Sequence, residues 1–218
     1  MRGPRALPHT PRMSDYFIGL TGGIASGKSA LERAFAAHGI VVADADLLAR
    51  EVVQPGTPTL ADVVDRFGPG VLQADGQLDR AALRVRVFGN DDERRALEAI
   101  LHPAIRARLQ AICRQATSPY AIAMIPLLTE GGGRASYPWL DRILVVDTPA
   151  AVQKARLMQR DGIDAALAEK MMAAQASRAD RLALADDIVV NDGDLAHLQR
   201  AADGLHLRYL ALAGFVSS

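Results

Sequence analysis

The sequence predicts an α/β fold with a parallel sheet built around a phosphate-binding loop, and three observations predict it. Short apolar runs at 17–20, 40–43, 120–125, 143–146 and 188–190 alternate with helical patterns, as the strands of a parallel sheet covered on both faces do. The first run leads straight into Gly22-Gly23-Ile24-Ala25-Ser26-Gly27-Lys28-Ser29, a G-x-x-x-x-G-K-[ST] loop followed by a helical stretch at 29–38. The remaining runs end in polar or turn residues, and in open α/β sheets that carboxyl edge is where ligands bind.

The elements follow in chain order. Residues 1–14 read as a disordered extension, with Pro4, Pro8 and Pro11 among Arg2, Arg5 and Arg12 and no apolar core of a secretory signal. Met13 is an alternative start. In the loop, several backbone N–H groups and the positive end of the next helix form an anion nest. Gly22, Gly23 and Gly27 can take positive φ and admit a phosphate closely. Lys28 would reach the β- and γ-phosphates, and the Ser29 hydroxyl would bind Mg²⁺. The plainer alternative is a glycine-rich turn capped by Ser26.

The run at 40–43 delivers Asp44-Ala45-Asp46 to the ligand edge. Phosphoryl transfer to a hydroxyl needs a group that orients the oxygen and accepts its proton. One of the two carboxylates could equally cap the next helix. Residues 47–118 are too long for a simple crossover and read as a helical insertion, with helices at 47–53, 59–67, 80–88 and 92–115. Pro103 should kink or break the last of these.

Past the third strand, Pro126-Leu127-Leu128-Thr129-Glu130 lies at the same edge. Glu130 would order metal-bound water or face solvent. Gly131, Gly132 and Gly133 mark a flexible turn. Arg156 and Arg160 share one helix face, and Arg178 and Arg181 end a helical segment at 165–180. These arginines form either a lid over transferring phosphates or a solvated hairpin paired with Asp161, Asp164 and Asp180. Asp147, after an apolar run, resembles a nucleotidase metal ligand only superficially. Asp65-Arg66-Phe67-Gly68 matches a GTPase D-x-x-G by coincidence, since no N-K-x-D guanine motif accompanies it.

Composition narrows the class. Lys+Arg and Asp+Glu balance at 25 each in 218 residues, against a generic nucleic-acid or membrane-surface binder. The single Cys113 excludes an intramolecular disulfide and a multi-cysteine metal site. No apolar run is long enough to span a membrane, and the cytoplasm is the expected compartment.

In order, Gly19 to Ser29, Asp44-Ala45-Asp46 with Ala49-Arg50, Phe67-Gly68 with Asp75-Gly76, Leu101-His102-Pro103, Pro126-Leu127-Leu128 with Glu130, Val145-Val146-Asp147, Gln153 with Arg156, Gln175 with Arg178 and Arg181, and Ala185-Asp186-Asp187 leading to Asn191 closely resemble the dephospho-coenzyme A kinase family. The resemblance covers residues 16–216. It implies a single kinase domain at 15–218, with a five-stranded core (15–46, 119–158 and 185–218), an acceptor-binding helical insertion (47–118) and a lid (159–184). It implies ATP-dependent phosphorylation of the ribose 3′-hydroxyl of dephospho-CoA, giving CoA and ADP, with Mg²⁺ and no obligate protein partner. By the same carry-over Asp46 is the base, with Lys28 and Arg156 also catalytic. ATP would meet Gly22 to Ser29 and Asn191, and the acceptor Asp44, Asp46, Arg50, His102 and Leu127. Ala25 stands where many members carry glycine, harmless if its φ is negative, and Thr129 where an apolar residue is common. A kinase for another small acceptor and a regulatory phosphate-loop switch are the alternatives.

Overall fold

The computed structural model describes residues 13–215, so the extension expected over 1–14 lies, except for its last two residues, outside the described residues. Five strands, β1 (Phe17–Gly22), β2 (Val41–Asp44), β3 (Ala121–Met124), β4 (Arg142–Asp147) and β5 (Asp187–Val190), form one sheet in the order β2-β3-β1-β4-β5. Every pairing is parallel, and Leu20 of the central strand sits level with Met124 and Leu144. The helices are α1 (Lys28–Ala37), α2 (Ala45–Glu51), α3 (Pro58–Phe67), α4 (Arg80–Val87), α5 (Asp91–Gln115), α6 (Gly133–Ser136), α7 (Ala150–Asp161), α8 (Ala165–Ala173), α9 (Arg178–Ala183) and α10 (Leu195–Leu212). Among the described residues no helix is long and apolar enough to cross a membrane.

Strand residues alternate between two apolar layers, which is why the runs read as continuous. Ile18, Leu20, Ile122, Met124, Leu144 and Val146 face Leu31 and Phe35 of α1 and Leu198 and Tyr209 of α10. Phe17, Ala121, Ala123, Ile143 and Val145 face Leu48 of α2 and Leu109 and Cys113 of α5. Burial pushes the Cys113 thiol up to about 12, so it is a small core residue and no nucleophile. A third cluster, Val53, Leu60, Val63, Phe67, Val71, Leu78 and Leu83 against Leu97, Ile100 and Leu101, gives the insertion its own core.

Two expectations are corrected. Pro103 does not break its helix, and α5 runs through it for 25 residues. Apolar contacts grip α5 on both sides of the proline, Leu97 to Leu101 in the insertion core and Leu109 and Cys113 under the sheet, and this packing outweighs one lost N–H bond. The segment at 165–180 is not one helix. It splits into α8 and α9 because Ser177 starts a new helix with a reciprocal capping box to Asp180.

Asp187 ties β5 to its neighbours. Its buried carboxylate accepts from Arg142 Nε of β4 at 2.7 Å, Arg208 Nη1 of α10 at 2.5 Å and Tyr209 Oη at 3.1 Å. Asp187→Ala leaves two guanidiniums without their acceptor and should cost about 3 kcal/mol, the low end for breaking a buried pair. Urea unfolding followed by circular dichroism measures it, and a loss under about 1 kcal/mol would reduce the cluster to surface pairing.

Candidate active site

The loop between β1 and α1 is built from backbone bends that its neighbours hold in place. Gly27 caps α1 with φ 100°, and a Cβ there would lie 2.2 Å from Asn191 Nδ2. Gly23 does not use a positive φ as expected. It is needed for space instead, because a Cβ would lie 2.3 Å from Gln153 Nε2. Ala25 is the larger correction, since its φ is +56°, the left-handed region. For an L-residue that costs roughly 1–2 kcal/mol.

The bend persists because both flanking peptides are clamped. The Ile24 N–H donates to Gln175 Oε1 at 2.7 Å, and Gln153 Nε2 donates to the Ile24 carbonyl at 2.8 Å. On the other side the Ser26 carbonyl accepts from Asn191 Nδ2 at 2.7 Å and Thr148 Oγ1 at 3.1 Å. Ser26 caps nothing, contrary to the plainer reading: its hydroxyl is buried without a protein partner, and α1 has no side-chain cap.

Lys28 folds back over the loop, its Nζ donating to the Gly22 carbonyl at 2.8 Å and the Gly23 carbonyl at 2.9 Å. Burial lowers its pKa to about 8, helped by the positive charges of Arg181 and Arg160 and opposed by Asp46 and Glu130. The two aspartates differ in their bonding. Asp44 is the N-cap of α2, its Oδ1 accepting the Asp46 N–H at 2.8 Å. Asp46, in the first turn, carries no such duty. Burial raises its pKa and the Asp44 charge raises it further, against Lys28 and Arg50.

Two cavities meet at this carboxylate. One of about 640 Å³ is lined by Ile24 to Ser29, Asp44, Asp46, Arg33, Arg156, Arg160 and Gln175. The other, about 270 Å³, is lined by Asp46, His102, Leu127 and Glu130 together with Glu98, Arg106 and Tyr137. Asp46 and Pro126 belong to both. Glu98, His102 and Arg106 were legible only in part: the residues at i, i+4 and i+8 mark one polar face of α5, a signal that the proline at 103 obscures.

Other residues anticipated at the site lie off the cavities or are tied to protein partners. Arg50 is exposed and lines neither cavity, acting on Asp46 through its charge. The Asn191 amide is committed to the loop and is buried. Arg156 donates to the Asn191 carbonyl at 3.2 Å, and Arg160 forms an exposed pair with Asp161 at 2.7 Å. Arg178 leaves the cavity for a two-pronged bond to Asp147 at 2.7 and 2.6 Å. That bond, with burial opposing it, holds the Asp147 carboxyl below the usual range, so Asp147 serves an ion pair. Glu130 is exposed, and its Oε1 accepts the Ala176 N–H at 2.8 Å.

Among the described residues no three His, Cys, Asp or Glu side chains are placed to hold a metal. The hard oxygens of Ser29 and Asp46 on the wall of the larger cavity fit Mg²⁺, which binds through one or two protein oxygens plus phosphates and water.

The family model described as CoaE, dephospho-CoA kinase, matches residues 16–197. The chain is 60% identical over 199 residues to the dephospho-CoA kinase of Xanthomonas oryzae pv. oryzae (strain MAFF 311018), covering 91% of this chain and 98% of that one. It is 58% identical over 205 residues to that of Xylella fastidiosa (strain Temecula1 / ATCC 700964), covering 94% and 99%. Among solved structures, TT1252 from Thermus thermophilus superposes with a TM-score of 0.75 at 29% identity, covering 94% of this chain and 100% of that one. Shikimate kinase from Bacteroides thetaiotaomicron, with a TM-score of 0.54 at 16% identity and covering 88% and 96%, shares the fold.

The clamped bend at Ala25 yields a stability series. Ala25→Gly should change the unfolding free energy by less than about 1 kcal/mol, because relief of left-handed strain offsets the glycine's extra unfolded-state entropy. Ala25→Val should destabilise by about 2 kcal/mol, since a β-branched residue is an outlier there. Urea titrations of the three proteins decide it, and a Gly variant weaker than Val would mean that Ala25 is unstrained.

Proposed function

The chain belongs to the dephospho-CoA kinase family and carries its activity, the ATP-dependent final step of coenzyme A biosynthesis; within that activity we propose that Asp46 activates the ribose 3′-hydroxyl of dephospho-CoA. The observation that carries the assignment is the shared wall: donor and acceptor cavities have Asp46 in common. A hydroxyl entering from the 270 Å³ side meets, at one carboxylate, a γ-phosphate held on the other. Burial and the Asp44 charge raise the pKa of Asp46, which makes it a stronger proton acceptor than an ordinary aspartate.

The rest of the division of labour follows from placement. Gly22 to Ser29 cradle the phosphates of ATP, with Lys28 moving its ammonium from the loop carbonyls onto them. Ser29 would hold Mg²⁺ together with the phosphates, and the ion would supply positive charge against the charge developing on the transferred group. Arg156, on the cavity wall, stabilises that charge, and adenine lies beside the turn at Asn191. Asp44 fixes the Asp46 peptide, Arg50 tunes its charge, and His102 and Leu127 line the acceptor side. Residues 47–118 receive the acceptor and 159–184 form the lid over the core segments 15–46, 119–158 and 185–218. ADP release with dephospho-CoA, with AMP or adenosine, and with no acceptor separates this reading from a different small-molecule kinase and from a nucleotide switch.

Single-turnover transfer by Asp46→Asn should fall by roughly 10²–10⁴-fold, the range for losing a general base, with ATP binding retained. Asp44→Asn should lose far less, since an asparagine still caps a helix. If Asp44→Asn is the inactive variant, the base is Asp44.

The position of Lys28 sets a pH limit. Its charged form binds phosphate, so kcat/KM for ATP should hold below about pH 8 and fall as pH rises through that value. In Lys28→Arg, whose guanidinium stays charged to above pH 12, the residual activity should show no such fall. An alkaline limb that persists unchanged in the variant belongs to another group.

A further inference from the structure

We propose that Gln175 and Glu130 are a positioning pair that couples the two substrate sites, so that an acceptor in the smaller cavity strengthens the hold of the larger cavity on ATP; this rests on the assignment of the cavities to dephospho-CoA and ATP. The geometry is a two-residue strap. Gln175 reaches into the phosphate loop through its side chain, accepting the Ile24 N–H at 2.7 Å. The next residue, Ala176, donates its backbone N–H to Glu130 Oε1 at 2.8 Å. Gln175 lines the donor cavity and Glu130 the acceptor cavity. One dipeptide therefore spans from the wall of one site to the wall of the other.

Both ends are stiffened by their surroundings. Beyond the strap, Ser177 caps α9 and Arg178 is locked onto Asp147, so displacement of Ala176 cannot be absorbed on its C-terminal side. Arg181 of α9 also donates to the Ala176 carbonyl. At the loop, Gln175 supplies one of the two bonds that pin the Ile24 peptide next to the strained Ala25. At the acceptor end, Glu130 follows Leu127, whose side chain is 53% exposed and lines the smaller cavity. A ligand against Leu127 and Glu130 restricts the carboxylate, which fixes Ala176 and with it the Gln175 amide. Ile24 spends its backbone N–H and carbonyl on the two glutamines, so Gln175 acts on the phosphate cradle through Ile24 and is a positioning residue.

The test is calorimetry on the full chain with Mg²⁺ and a non-hydrolysable ATP analogue, with and without saturating dephospho-CoA. In the parent, dephospho-CoA should tighten the analogue by about 5-fold or more, the usual lower range of coupling between sites. In Gln175→Ala and in Glu130→Ala the tightening should drop below about 2-fold. The double variant should be no worse than either single one, because both break the same path. Glu130→Gln, which keeps an oxygen for the Ala176 N–H, should retain the parental tightening. A merely structural role moves melting temperature and both binary affinities together and leaves this ratio alone. The proposal is overturned if the parent shows no tightening, if Glu130→Ala retains it with the melting temperature unchanged, or if Glu130→Gln loses as much as Glu130→Ala. Direct titration of dephospho-CoA into the parent separates the two levels: absence of binding there overturns the cavity assignment and the coupling with it, whereas normal binding without tightening overturns the coupling alone.

Discussion

The structure depends on one strained turn held in place from four directions. A phosphate cradle requires successive N–H groups to converge, and convergence forces the chain through positive φ. At Gly27 that conformation is free of penalty, but at Ala25 it costs on the order of 1–2 kcal/mol. Gln153 and Gln175 on Ile24, with Thr148 and Asn191 on Ser26, supply four hydrogen bonds that over-determine the bend. Each is worth about 1 kcal/mol net, so together they exceed the strain. The four donors and acceptors come from the ends of β4 and β5, from α7 and from the turn before α9, which makes the whole carboxyl edge of the sheet a support for one turn.

Electrostatics at that edge are arranged by a second constraint. Lys28 and Asp44 both lie close enough to act on Asp46, the ammonium lowering its pKa and the neighbouring carboxylate raising it. Asp44 is tied by the Asp46 N–H as the N-cap of α2. Asp46 is left with burial and a negative neighbour, partly balanced by Lys28 and Arg50. Two like residues two positions apart thus acquire different surroundings from one helix cap. The ammonium of Lys28, held by carbonyls and not by a carboxylate, is free to leave them for a phosphate.

What the sequence made legible is what short-range physics determines. The phosphate loop, the five strands and the two aspartates are encoded within a dozen residues each, so periodicity and motif suffice. The continuity of α5 through Pro103 was not legible, because it is fixed by two cores that lie on different sides of the molecule. The split between α8 and α9 was legible in principle, since Ser177 and Asp180 stand at capping-box spacing, but the apolar pattern around them runs on without a break. The strain at Ala25 was open because the sequence gives a residue and not its φ. The Arg178 bond to Asp147 bridges 31 residues, and no local pattern announces its partner. That long-range bond is also what withdraws Arg178 from the array of four arginines that looked uniform in sequence.

The separate core of the insertion gives this arrangement its mechanical sense. Val53, Val63, Phe67 and Leu83 pack among themselves and against α5, not against the sheet, so α3 and α4 can shift with little disturbance of the strands that hold the phosphate loop. The element common to both cores is α5, which carries Glu98, His102 and Arg106 on the smaller cavity and buries Leu109 and Cys113 beneath the sheet. On the proposed reading, a long helix that joins the insertion core to the core under the sheet lets the acceptor side adjust while the position of Asp46 stays set by β2 and by its Asp44 cap. Phosphoryl transfer demands that distinction, since it tolerates motion around the acceptor but little misplacement between hydroxyl, carboxylate and phosphate.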